Sequence, residues 1–172
     1  RFPFAAHHVR TGGQKNEVRG TRNRVGKALA AKLASLGHEV MIGTRVEGRT
    51  DIQQWTAASN PPVRLGTFAQ AAVFGEMLIA CTSGTTSIDA LRACAPADLA
   101  GKVLIDVSNP LDFSIGMPPT LTVCDTDSLG ETLQREFPEV RVVKALNRCN
   151  CAIMIDPRSC PVSTTCLLQA TT

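Results

Sequence analysis

Four short, almost wholly apolar runs recur along the chain with helical stretches between them, and this alternation constrains the fold more than any other feature. The runs are Glu39 to Gly43 (E-V-M-I-G), Glu76 to Cys81 (E-M-L-I-A-C), Lys102 to Val107 (K-V-L-I-D-V) and Val140 to Leu146 (V-R-V-V-K-A-L). A strand that is apolar on both faces must be covered on both, which a parallel sheet with crossover helices achieves. The intervening segments have helical period. Val25, Leu29, Leu33 and Leu36 recur at helical spacing, and Gly37 supplies a left-handed stop. Thr67 to Phe74 reads as a short helix with Thr67 as N-cap, Gly84 to Cys94 as another, and Ser128 to Phe137 as a further helix closed by Pro138. The polar stretch holding Gly48, Asn60, Pro61 and Pro62 reads as a loop, with Trp55 as its one anchor to the core. The class these signals predict is doubly wound α/β. No apolar strand is visible before residue 25, so the first strand is expected to be missing or degraded and residues 1–19 loosely attached.

A chain of 172 residues suits one such domain. With 44% hydrophobic and 19% charged residues it has a globular composition, and no run approaches the ~20 apolar residues of a membrane helix. The net charge of +3 does not point to nucleic acid, because Lys and Arg are scattered and their densest group (Arg10, Lys15, Arg19, Arg22, Arg24, Lys27) falls in the N-terminal segment. Seven cysteines occur without a visible signal peptide, which favours a reducing, cytoplasmic compartment over a disulfide framework. Cys81 reads as a small core residue. Cys149 and Cys151 form a C-x-C pair with no second pair or histidine at ligand spacing, so no metal is expected. His7, His8 and His38 offer no convincing catalytic base; His38 reads as solvated.

In sheets of this class, ligands bind beyond the carboxyl ends of the strands. Those ends are Thr44-Arg45, Thr82-Ser83-Gly84, Ser108-Asn109-Pro110 and Ala145-Leu146-Asn147, all but Leu146 small or polar. The second strand of a dinucleotide fold ends beside the adenosine ribose, where an acidic residue would select NAD. Here Thr44 offers a hydroxyl and Arg45 a guanidinium that can clasp a 2′-phosphate, a pairing that favours NADP. The partner implied is a small molecule.

Three stretches carry a family resemblance: G-K-A-L-A-A-K-L-A-S-L-G-H-E-V-M-I-G-T-R, K-V-L-I-D-V-S-N-P and V-V-K-A-L-N. Over roughly Val25 to Pro157 the chain resembles NADP-dependent F420 reductases and the similar reductase domain of STEAP-type metalloreductases. The resemblance implies a Rossmann domain that holds NADPH and exchanges hydride with a deazaflavin (F420) or flavin ring. Such chemistry needs two rings held in place and no acid–base side chain, so no catalytic residue is expected. The implied cofactor-binding set is Gly20, Thr21, Arg22, Gly26, Thr44, Arg45, Thr82, Ser83, Ser108, Asn109, Pro110, Ala145 and Asn147. A homo-oligomer remains open, as does a non-catalytic NADP-binding sensor domain or an inactive fragment.

The chain departs from the family at its phosphate-binding loop. The family pattern is G-T-G-x-V-G, whereas Gly20 to Gly26 reads G-T-R-N-R-V-G, one residue longer and with Arg22 at a glycine position. Both ends admit a reading in a shifted frame. Codons for Lys15 to Arg24 shifted by one base spell M-K-F-A-A-P-G-T-G, Gly12-Gly13 can be encoded as GGAGGA like a ribosome-binding site, and Arg158 to Thr172 shifts to E-L-P-G-Q-H-D-L-F-V-A-G-D-D. The expected organisation is a non-native leader over 1–19, an NADP-binding domain over 20–157 and a non-native tail over 158–172.

Overall fold

In the computed structural model, which describes residues 2–5, 24–45, 50–160 and 169–170, the apolar runs become neighbours in one sheet. Its strands are β1 (Phe2–Ala5), β2 (Val40–Thr44), β3 (Arg64–Thr67), β4 (Met77–Ala80), β5 (Val103–Asp106), β8 (Arg141–Lys144) and β9 (Gln169–Ala170), while β6 (Leu111–Asp112) and β7 (Thr120–Leu121) form a separate ribbon. The order is β3-β2-β1-β4-β5-β8-β9, parallel throughout except for β9, which runs antiparallel to β8. The chain winds outward from β1 to β3, then crosses back to β4 and winds the other way. This is the doubly wound α/β class, with its switch point between β1 and β4.

The central strand corrects one expectation. Phe2 to Ala5 pairs with Val40 to Gly43 on one side, and Phe4 and Ala5 pair with Ile79 and Ala80 on the other. The physical reason is that β2 and β4 are inner strands whose backbone groups need a partner between them. F-P-F-A is too short for a period to show, and Pro3, which has no N–H to give, argues against a central strand on sequence grounds.

Alternation within the strands builds a core on each face of the sheet. Ile79 faces one side with Val40, Ile42 and Val63, beneath α1 (Arg24–Ser35). Leu78 and Ala80 face the other with Leu104 and Val142, beneath Leu129 and Leu133 of α6 (Leu129–Glu136). Helix α1 buries Leu29, Ala30 and Ala34, and Gly37 adopts φ +88°, the left-handed stop that its position predicts. Leu36 lies past the helix end and is exposed.

Where a loop is expected, α2 (Thr50–Ala57) forms instead. Ile52 is its fully buried anchor, and Trp55 packs only partly buried against the same core, with Lys27 Nζ 5.7 Å from its ring centre. Helix α3 (Phe68–Phe74) starts at the predicted cap: Gln70 N donates to Thr67 Oγ1 (3.1 Å) and Thr67 N to Gln70 Oε1 (2.8 Å). A 3₁₀ turn over Gly84–Thr86 leads into α4 (Ser87–Arg92), followed by α5 (Pro96–Leu99). Helix α7 (Cys151–Ile155), capped by Asn150, packs beside α1. Neither α5 nor α7 is signalled by apolar period, because each spans little more than a turn.

Candidate functional site

The carboxyl ends of β4, β5 and β8 converge on one crevice of about 270 Å³. Thr82, Ser83, Ser108, Asn109 and Asn147 line it with Val25 from the first turn of α1, and Val107, Leu111, Phe113, Cys81, Cys149 and Met154 complete its described walls. Five of the residues expected at a site are therefore brought together. Sequence reasoning misses the other walls because they come from separate segments; Cys81 packs against the core, as its apolar run predicts, and also borders the crevice. Burial and the nearby Asp106 carboxylate push the Cys81 thiol well above its ordinary value, which keeps it a neutral wall.

Hydrogen bonds tie the three strand tails together. Asn109 Nδ2 donates to Asn147 O (2.8 Å) and Asn147 Nδ2 to Asn109 Oδ1 (3.1 Å), so the β5 and β8 tails are clasped reciprocally. Leu146, at φ +61°, turns the chain between the end of β8 and that pair. The β4 tail is fixed from below, where Thr82 Oγ1 lies 2.7 Å from Ser87 Oγ and Ser87 Oγ donates to Ser83 O (3.2 Å). Gly84 N donates to Asn109 O (3.1 Å). A Cβ at Gly84 would stand 2.5 Å from Asn109 C and Pro110 N, closer than any carbon can approach. Gly84→Ala is therefore expected to cost about 1–3 kcal/mol by overpacking, read from denaturant melts; an unchanged melt would show that the two loops separate freely.

Other expected residues fall differently. Pro110 and Ala145 are buried and are not among the described residues that line the crevice. Gly26 is buried in the first turn of α1, and Gly20, Thr21 and Arg22 lie outside the described residues. Thr44 is 2% exposed and its Oγ1 donates to Gly66 O (3.4 Å), so this hydroxyl is engaged within the sheet rather than offered outward. Arg45, directly after it, is exposed. Thr44 also borders a second crevice of about 550 Å³ formed with Gln53, Thr56, Ala57, Val63, Leu65, Gly66 and Gln70. One crevice thus lies at the β2–β3 end and the other at the β4–β5–β8 end, on either side of the switch point.

Among the described residues, no group of three or more His, Cys, Asp or Glu is placed to hold a metal ion, and no helix is long and apolar enough to cross a membrane. Strand order, switch point and the crevices flanking it define a doubly wound domain of Rossmann type. The sequence profile described as NADP oxidoreductase, coenzyme F420-dependent, matches residues 23–110. A solved structure from Arthrobacter sp. FB24, assigned as an F420-dependent NADP reductase, is 40% identical with a TM-score of 0.84, over 99% of this chain and 73% of that one. The chain belongs to this family of F420-dependent NADP oxidoreductases, which makes it an NADP-dependent oxidoreductase. More distant likenesses extend only the fold. A hypothetical protein from Sinorhizobium meliloti is 18% identical, TM-score 0.65, over 90% of this chain and 64% of that one. A reductive aminase from Aspergillus terreus is 14% identical, TM-score 0.56, and this chain spans 42% of its length. No curated protein sequence matches the chain.

Proposed function

We propose that the chain is an NADPH-binding domain that transfers hydride between NADP(H) and a deazaflavin acceptor of the F420 type or a flavin. One observation carries this reading: among the described residues that line the crevice at the strand tails there is no Asp, Glu, His, Lys or Arg. Its polar lining comes from Thr82, Ser83, Ser108, Asn109 and Asn147, where the side-chain amides of Asn109 and Asn147 each keep an N–H beyond their mutual clasp, and its remaining described walls are aliphatic, aromatic or sulfur groups. Such a lining suits a carboxamide-bearing ring on its polar side and a second flat ring against Leu111 and Phe113. NADP(H), when bound, would supply the hydride to the acceptor ring, with solvent supplying the proton that completes the acceptor's reduction. The protein's part is to hold the rings in register and exclude water between them.

The nicotinamide end fits the first crevice, and the adenosine end fits the neighbourhood of Arg45 beside the second. Gly20, Thr21, Arg22 and Gly26 would border the pyrophosphate, at the N-terminus of α1. Steady-state NADPH oxidation with a deazaflavin and with free flavins as acceptors tests the proposal. Turnover with either supports it, and tight NADPH binding without turnover would instead favour a non-catalytic NADP-binding domain.

A further inference from the structure

Beneath the crevice lies a buried polar network that the hydride-transfer reading does not use. Asp106, at the end of β5, is 0% exposed, and its Oδ2 accepts from Lys144 Nζ at 2.7 Å across the β5–β8 pair. Asp106 Oδ1 accepts from both Ser108 N (3.0 Å) and Ser108 Oγ (2.7 Å). Lys144 Nζ also donates to Ser108 O. Ser108 is thus held at its amide, its hydroxyl and its carbonyl by one ion pair.

A buried ion pair is an expensive way to gain stability, because desolvation offsets most of its attraction and an apolar pair of similar volume serves as well or better. What this pair does, and an apolar pair could not, is fix the peptide at which β5 turns into the crevice. The next residue is Asn109, whose amide is shared with Asn147 and whose carbonyl receives Gly84 N. We infer that Asp106 and Lys144 are positioning residues, which set the Ser108–Asn109 peptide so that the crevice's donors meet the nicotinamide ring in one orientation. This rests on the function proposed above.

Single and double variants separate positioning from mere support. Lys144→Met leaves the Asp106 carboxylate uncompensated and is expected to lower Tm; Asp106→Asn with Lys144→Met removes both charges and is expected to regain most of that loss. Positioning predicts that kcat in the double variant stays at least about tenfold below the parent, since small displacements of a reacting group cost that much. KM for NADPH should stay within about threefold, because most of its affinity comes from the phosphates. The emission of bound NADPH, read at saturation, should also differ between double variant and parent, a readout that needs no acceptor. Recovery of both kcat and parental emission along with Tm would overturn the inference. A parent that binds NADPH but turns over no deazaflavin or flavin would fail the acceptor assignment alone, leaving the emission comparison to decide this one; a parent that binds no NADPH would overturn both.

Discussion

Arg45→Ala is expected to weaken NADPH binding about ten- to a hundredfold while leaving NADH within about threefold, measured by calorimetric titration of both cofactors, since a charge-assisted contact to phosphate contributes about 1.5–3 kcal/mol. Arg45 is the exposed residue that follows β2, at the position where the adenosine ribose meets a dinucleotide fold. Thr44 cannot share the task by the hydroxyl route, because its Oγ1 already donates to Gly66 O. Among the described residues the discrimination therefore rests on the Arg45 guanidinium, which is planar and presents paired donors to phosphate oxygens. NADH lacks the 2′-phosphate and so loses nothing specific. Arg45→Lys should fall between the two, keeping charge and losing the fork. Equal loss of NADPH and NADH would show that Arg45 supports the fold and does not read the phosphate.

The inner strands β2, β4 and β5 were legible from their largely apolar runs. Val40 to Thr44, Met77 to Ala80 and Val103 to Asp106 sit within a residue or two of where composition places them. Elements whose role is set by neighbours were not legible. R-L-G-T of β3 becomes a strand because β2 offers its free edge, pairing Met41 to Thr44 with Arg64 to Thr67, and F-P-F-A does so because two inner strands flank it. The prolines near residue 60 hid α2, whose single fully buried side chain, Ile52, gives no period. At the site, strand-end logic found Ser108, Asn109 and Asn147 but not the reciprocal Asn109–Asn147 clasp or the Asp106–Lys144 pair. Those partners are 38 residues apart, and only the β5–β8 register brings them opposite. In sequence, Asp106 looks like a polar interruption of a strand and Lys144 like a surface charge; their meaning is a property of the pairing.

The phosphate-binding loop should respond to repair as strongly as Arg45 responds to removal. Replacing Arg22 with glycine and deleting Asn23 converts G-T-R-N-R-V-G into G-T-G-R-V-G, and NADPH affinity is expected to rise about ten- to a hundredfold on regaining one or two charge-assisted hydrogen bonds. Pyrophosphate binding requires a tight glycine turn feeding a helix N-terminus, so that backbone N–H groups and the helix dipole meet the anion together. Helix α1 is in place for this, beginning at Arg24 with Val25 on the crevice wall. The central strand is also in place, as β1 lies between β2 and β4. The expected gain therefore rests on the loop. In the glycine pattern the third position is where backbone approaches phosphate, so a side chain there and one extra residue are expected to move the loop's N–H groups out of line with the anion. Arg22 could offset this by attracting phosphate itself, but a single long side chain returns about one contact, and ordering it costs rotamer entropy of up to about 2 kcal/mol. Set against that single contact, the several backbone donors of a glycine turn would still leave a net one or two hydrogen bonds in favour of repair. Titration of the two proteins with NADPH decides the matter: equal affinities, or tighter binding by the unaltered chain, would show that the Arg22 side chain replaces the glycine turn as the pyrophosphate anchor.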